Sequence, residues 1–146
     1  MKIEICRFEE LNIFSLYKIL KLRSEVFVLE QECLYQDMDE KDFFAIHVLG
    51  WKDEELIGYA RCFDSGDYFA EAAIGRVLIN KKYRNKGFAH QIVSASIDVI
   101  LKEFKKDKIR ISAQTYLIDF YKKHGFEVDG TPYPEDGIPH VSMIKV

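Results

Sequence analysis

In the stretch "GRVLINKKYRNKGFAHQIV", residues 75–93, an apolar run gives way to Lys81, Lys82, Arg84 and Lys86, then Gly87, and apolar spacing resumes. Those residue types in that order suit the holding of phosphate. The first N–H groups of a helix have no partner inside it and carry partial positive charge, so an anion placed there is both hydrogen-bonded and field-stabilised. Gly87 permits close backbone approach, and Arg84, Asn85 and Lys86 add charge and donors around the same point. No Gly-Lys-Ser/Thr follows, so the turn is not a P-loop, and it lacks GxGxxG, so it is not a dinucleotide fingerprint. On local chemistry alone the turn is either a seat for some other phosphate compound or a solvated loop closed by a capping glycine.

Other reactive side chains are scattered. His47 and His140 titrate in a range useful for proton transfer. Cys6, Cys33 and Cys62 are odd in number, widely spaced and without a CxxC pair, which points to reduced, mostly buried thiols and to neither a disulfide framework nor a zinc site. No metal is expected. The segment "LEQECLYQDMDEKD" carries Glu30, Glu32, Asp37 and Asp39, which either attract a cationic amine or form a solvated acidic loop.

These groups must be positioned by a chain of 146 residues that is 48% hydrophobic, enough to bury roughly two thirds of its unfolded surface as one domain, residues 1–146. The net charge of −3 supplies no general attraction to nucleic acid or anionic membranes, so any anion site is local. The segment "MKIEICRFEE" lacks the order of a secretory signal and no apolar stretch approaches the roughly 20 residues of a membrane span, so a cytoplasmic location is expected.

Periodicity predicts a strand over residues 2–8, then one long helix or two consecutive helices through "LNIFSLYKILKLRSEVFVLEQ". "FFAIHVLGW" and "ELIGYARCF" read as a hairpin around "KDEE", and "AAIGRVLIN" as a further strand. A helix follows over 87–104, then the strand "KIRISAQ", a short helix "LIDFYKKHG" stopped by Gly125, and strands in "FEVDG" and "PHVSMIKV". The order β α α β β β α β α β β, free of repeats or linkers, implies an α/β (α+β) fold whose mixed central sheet of about seven strands is covered by helices.

"RNKGFA" fits the Arg/Gln-x-x-Gly-x-Gly/Ala signature of the GNAT superfamily of acetyl-CoA-dependent N-acetyltransferases, and "DFYKKHGF" downstream resembles that family's second motif. Within it, "LRSEVFVLEQECLYQDMDEKD", "HVLGW", "IGRVLI" and "GIPHVSM" resemble the ElaA-like group, in the same order and over most of the chain. The resemblance implies the GNAT fold, with acetyl-CoA as co-substrate and a small-molecule or peptide amine as acceptor. It implies that the backbone of Val77, Leu78 and Ile79 lies beside the pantetheine arm. N–H groups from Arg84 through Asn85, Lys86, Gly87, Phe88 and Ala89 would cradle the pyrophosphate, with Lys81 and Lys82 near the adenosine phosphate or simply solvated.

By the same resemblance Tyr121 is the general acid for the departing thiolate; a phenol with a pKa of about 10 keeps its proton at neutral pH. The oxyanion donor is a backbone N–H around Val77 or Leu78. The base stays open. Many members carry a glutamate on the strand before the glycine turn, where this chain has Ala73. Glu71, His47, His140 and ordered water are the alternatives. Gln31 and His140 are the polar residues implied for acceptor recognition, with "PEDGIPH" presenting His140 from a stiff loop. Two competing functions are a CoA-sensing protein that has lost turnover and an interaction protein whose basic turn meets a macromolecule. A monomer and a homodimer fit equally well.

Overall fold

Alternating apolar residues build the first strand, β1 (Lys2–Arg7), which pairs antiparallel with β2 (Ile46–Lys52), as β2 does with β3 (Glu55–Phe63) and β3 with β4 (Ala72–Ile79) in a computed structural model describing residues 1–146. Strand β4 then runs parallel to β5 (Ile109–Gln114), and β5 pairs antiparallel with β8 (Ile138–Lys145). Two short strands, β6 (Glu127–Val128) and β7 (Tyr133–Glu135), also pair with β8. The mixed sheet therefore has eight strands, one more than the periodicity predicts, in the order β1-β2-β3-β4-β5-β8-β6.

The extra strand is β7. "PYPEDGIPH" is a hairpin, with Asp136 and Gly137 at φ 51° and 78° in its two-residue turn and Tyr133 opposite His140. Asp-Gly between strands is a strong hairpin signal because both turn residues need positive φ. His140 accordingly stands in strand β8 and not in the stiff loop expected for it.

Helix α1 (Ile13–Arg23) is capped by Asn12, whose side chain accepts from the Ser15 N–H, and continues as a wider π-helical turn through Glu30. The two helices that the spacing allowed are thus one continuous rod. Its residues Ile19, Leu22 and Val26 pack on Leu49, Leu56, Tyr59 and Leu78 across one face of the sheet. Helix α2 (Phe88–Val99) covers the other face, where Ile92, Val93 and Ile100 are fully buried in the larger core. Sandwiched between the helices, Ile57–Phe63 of β3 are buried along their whole length, the run expected of a central strand covered on both faces. Emptying one position, as in Ile92→Ala, costs about 2–5 kcal/mol. The short helix α3 (Ile118–Lys122) ends at Gly125, φ 91°, where the N–H of Phe126 donates to the Tyr121 carbonyl and that of Gly125 to Lys122. Gly125 thus stops the helix as expected, and the stop takes the Schellman form. No helix is long and apolar enough to cross a membrane.

One irregularity in the sheet creates the site. Strands β4 and β5 pair only at Ala72–Ile109 and Ala73–Arg110. Beyond those rungs they part, and the edge of β4 is left without a ladder partner on that side.

Candidate active site

Strand β4 is bulged where it leaves β5. Tyr59 pairs with Leu78 and Arg61 with Gly75, so two steps along β3 match three along β4, and Arg76 takes up the excess at φ 50°. A bulge removes backbone groups from the ladder and turns them outward. Along this freed edge runs a groove of about 440 Å³, walled by Val77, Leu78 and Ile79, by Arg84, Asn85, Gly87, Phe88 and Ala89, and by Tyr121. Of the residues inferred for the coenzyme only Lys86 is not part of this wall; its main chain lies between Asn85 and Gly87, and its Nζ sits 5.9 Å from the centre of the Tyr83 ring.

Gly87 is the N-cap of α2 at φ 82°, and no side chain caps the helix's first N–H groups. A Cβ at Gly87 would meet no protein atom within 4 Å. Its glycine is therefore required by the left-handed backbone and by whatever the groove admits, not by crowding within the protein. The unspent donors of the helix start and the open space above Gly87 fit a pyrophosphate. Arg84 is more committed than the sequence implies. Its Nη1 and Nη2 donate to the Glu30 carboxylate at 2.6 and 2.9 Å and its Nε to the Ile79 carbonyl, tying the basic turn to the end of the first helix. Glu30 is thus occupied by Arg84. Lys81 and Lys82 sit on an exposed turn.

A second cavity, about 120 Å³, lies between β3–β4 and β5–β8. Phe27, Gln31, Val77, Gln114, Leu117 and Tyr121 line both spaces, so the two adjoin along a shared wall that includes Tyr121. Tyr121 is buried, edge-on to Phe120 and Phe126, and burial pushes its phenol above the ordinary tyrosine range. It keeps its proton at neutral pH and can serve only as a donor of one. His140 lines the second cavity. Its Nδ1–H donates to the Ile138 carbonyl at 2.7 Å, and its Nε2 lies 3.3 Å from the Glu135 carboxylate.

The other base candidates lie outside both cavities. Glu71 accepts two bonds from Arg110, each 2.9 Å, and Arg110 lowers its pKa to about 2, so it is a strand-end ion pair and not a cleft base. His47 is buried in the sheet. Its Nε2–H donates to the Asp42 carbonyl at 2.9 Å, which leaves Nδ1 to accept from the Tyr59 hydroxyl at 2.6 Å. Burial holds its pKa below the ordinary histidine value, so it is a neutral structural imidazole. Ala73 lines the wall of the second cavity.

Asp37 and Asp39 are not a solvated lure for amines. They and Asp42 bind three arginines: Arg23 to Asp37 and Asp42 at 2.8 and 2.7 Å, Arg61 to Asp39 and Asp42 at 2.6 and 3.0 Å, and Arg76 to Asp37 at 2.8 Å. Burial alone would raise the Asp42 pKa, yet bonds and charge from Arg23 and Arg61 outweigh it and hold it below the carboxylate range. Sequence reasoning missed this cluster. Its signal was Arg61, a lone charge inside the apolar strand "ELIGYARCF". Cys6, Cys33 and Cys62 are free and buried, as expected. No group of three or more His, Cys, Asp and Glu side chains is arranged to hold a metal.

The profile of the Acetyltransferase (GNAT) domain matches residues 11–146. Protein ElaA of Escherichia coli is 38% identical over 138 residues, 93% of this chain and 90% of ElaA, and its crystal structure matches with a TM-score of 0.93 over 99% of both chains. An acyl-CoA N-acyltransferase from Pseudomonas aeruginosa, 31% identical, matches over the full length of both chains, also at 0.93. An aminoglycoside 6′-N-acetyltransferase solved with coenzyme A shares the fold alone, at 14% identity and a TM-score of 0.69 over 97% of this chain and 96% of that one. A splayed β4–β5 pair, a bulge beside it and a glycine-capped helix below it are thus joined to a family match over nearly the whole sequence, and the chain belongs to the GNAT acetyltransferase family.

Proposed function

We propose that this acyltransferase moves an acetyl group from acetyl-CoA to a primary amine of a small molecule or peptide, by direct attack in a ternary complex. The observation that carries the proposal is the meeting of two cavities at one protonated phenol, Tyr121, beside the β4 bulge. Acetyl-CoA supplies the activated thioester. Val77, Leu78 and Ile79, on the edge of β4 that β5 leaves uncovered, line up its pantetheine arm as a neighbouring strand would, and the N–H groups from Arg84 through Ala89 hold its phosphates. A backbone N–H at Val77 or Leu78 stabilises the charge that develops on the carbonyl oxygen. Tyr121 donates its proton to the departing sulfur.

The acceptor enters through the smaller cavity. An alkyl ammonium with a pKa of about 10.4 must lose a proton before it attacks. With Glu71 and His47 turned elsewhere and Ala73 on the wall, that proton passes to water in the cavity, with His140 Nε2 next to Glu135 as the relay. Gln31, common to both spaces, orients the amine.

The test is release of free thiol when the protein meets acetyl-CoA and a panel of amines, run beside thermal unfolding with CoA. Turnover on at least one amine is expected, together with stabilisation of roughly 2.7 kcal/mol at 100 times the dissociation constant. Stabilisation without release on any amine would favour a CoA sensor, the reading to which Ala73 in the strand position lends support. No stabilisation at all would remove the coenzyme from both.

A further inference from the structure

Two arginines that the transfer reaction does not require line the acceptor cavity. Arg61, 1% exposed, lines it, and among all buried side-chain nitrogens and oxygens only its Nε lacks a hydrogen-bond partner. An unsatisfied buried donor is costly and calls for an explanation in the function of the site. Arg76 lines the same cavity from the bulge and is also underused. Its Nε and Nη2 donate to Asp37, while Nη1 has no protein acceptor. A guanidinium has five N–H donors, so both arginines keep donors in reserve.

The aspartates, in contrast, are largely spent. Asp37 accepts from Arg23, Arg76 and Tyr35, and Asp39 from Arg61 and the Lys41 N–H. What remains unsatisfied at this wall is donor capacity, which matches a carboxylate. The β7–β8 hairpin brings Glu135, beside His140, to the lining of the same cavity, which suits an ammonium. The rings of Tyr35, Phe63, Tyr68 and Phe69 line it as well.

We propose that the acceptor is an amino carboxylate of amino-acid size with an apolar or aromatic side chain, its carboxylate bound by Arg61 and Arg76 and its amine directed toward Tyr121. The assignment rests on reading the second cavity as the acceptor site. Arg61 and Arg76 are specificity residues here. They take no part in proton transfer, and the bond formed is the amide, with the thiolate leaving and protonated as above.

The experiment compares phenylalanine, phenylalaninamide and phenethylamine as acceptors, and 3-phenylpropanoate and 3-phenylpropanamide as unreactive ligands measured by calorimetry in the presence of CoA. A preference for the free carboxylate of at least about tenfold in kcat/KM and in affinity is expected, because a site built to hydrogen-bond a group rejects analogues that lack it. Arg76→Gln, at the less buried arginine, should remove that preference, mainly through a raised KM for phenylalanine and a weaker affinity for 3-phenylpropanoate. Equal turnover of the three amines would overturn the proposal and leave the acetyltransferase reading standing. Selective binding of 3-phenylpropanoate without turnover of any amine would leave a carboxylate site in the cavity but overturn its use as an acceptor site, together with the acetyltransferase reading. Failure of 3-phenylpropanoate to bind would overturn it as well. Should Arg76→Gln not fold, the comparison of ligands on the unaltered protein still decides.

Discussion

The two cavities that meet at Tyr121 are built from different material. The groove along β4 is made by main chain: a strand edge released by a bulge and a helix start whose N–H groups have no cap. The smaller cavity is backed by side chains, three arginines and three aspartates that hold one another in place. Main-chain recognition tolerates almost any side chain so long as the backbone path survives, so the groove can stay constant while its walls change. Side-chain recognition depends on each member, so under the function proposed above the smaller cavity is where a substitution would redirect specificity.

The largest effect should come from breaking the side-chain framework. Asp42→Ala leaves Arg23 and Arg61 without a shared partner and is expected to cost about 3–5 kcal/mol in denaturant unfolding, because a buried charge is stranded. A loss under about 1 kcal/mol would mean that the cluster is solvated and that the contrast between the cavities is overstated.

Tyr121→Phe addresses the point where the cavities join. The phenyl ring preserves packing, so thiol release should fall about 10²–10⁴-fold in kcat while CoA affinity is unchanged. Equal losses in both would identify Tyr121 as a packing residue of the groove.

Gly87→Glu challenges the main-chain side of the comparison. The left-handed backbone at 82° strains any side chain by about 1–2 kcal/mol, and the carboxylate repels phosphate at the helix start. CoA affinity is expected to drop by about tenfold or more with the fold retained, measured by calorimetry and circular dichroism. Undiminished affinity would show that the α2 N-terminus is not the phosphate seat.

The smallest effect is a pH dependence confined to the framework. Burial depresses the His47 pKa, with the charges of Arg23 and Arg61 adding to it. An unfolded histidine takes up a proton near about pH 6.5 while the folded one does not, so this stability is complete above that pH and declines as the pH falls toward the folded value. Melting temperature should drop between pH 7 and 5, and His47→Gln should flatten that slope. An unchanged slope would assign it to other groups.

Much of the groove was legible because main-chain sites leave local marks. Gly87 between a strand and a helix, and Gly125 after "KKH", announce backbone geometry within a few residues of themselves. The acceptor side was poorly legible. Asp37 and Asp39 look like an acidic loop until Arg23, Arg61 and Arg76, each 14 to 39 residues distant, are folded against them. Arg84 looked free until Glu30, 54 residues away, met it. Glu71 and His47 looked equally fit to be bases because their titration range is local, whereas access to a cavity is not.

The sequence by itself determined the order of the longer strands and helices, the glycine-capped helix start and the family, since periodicity, capping and motif all act over short spans. Tertiary structure alone decided that β4 and β5 part after two rungs, that a bulge sits at Arg76, and that a donor stays unpaired on Arg61. Those features depend on which distant groups compete for the same hydrogen bonds, and that competition exists only once the chain is folded.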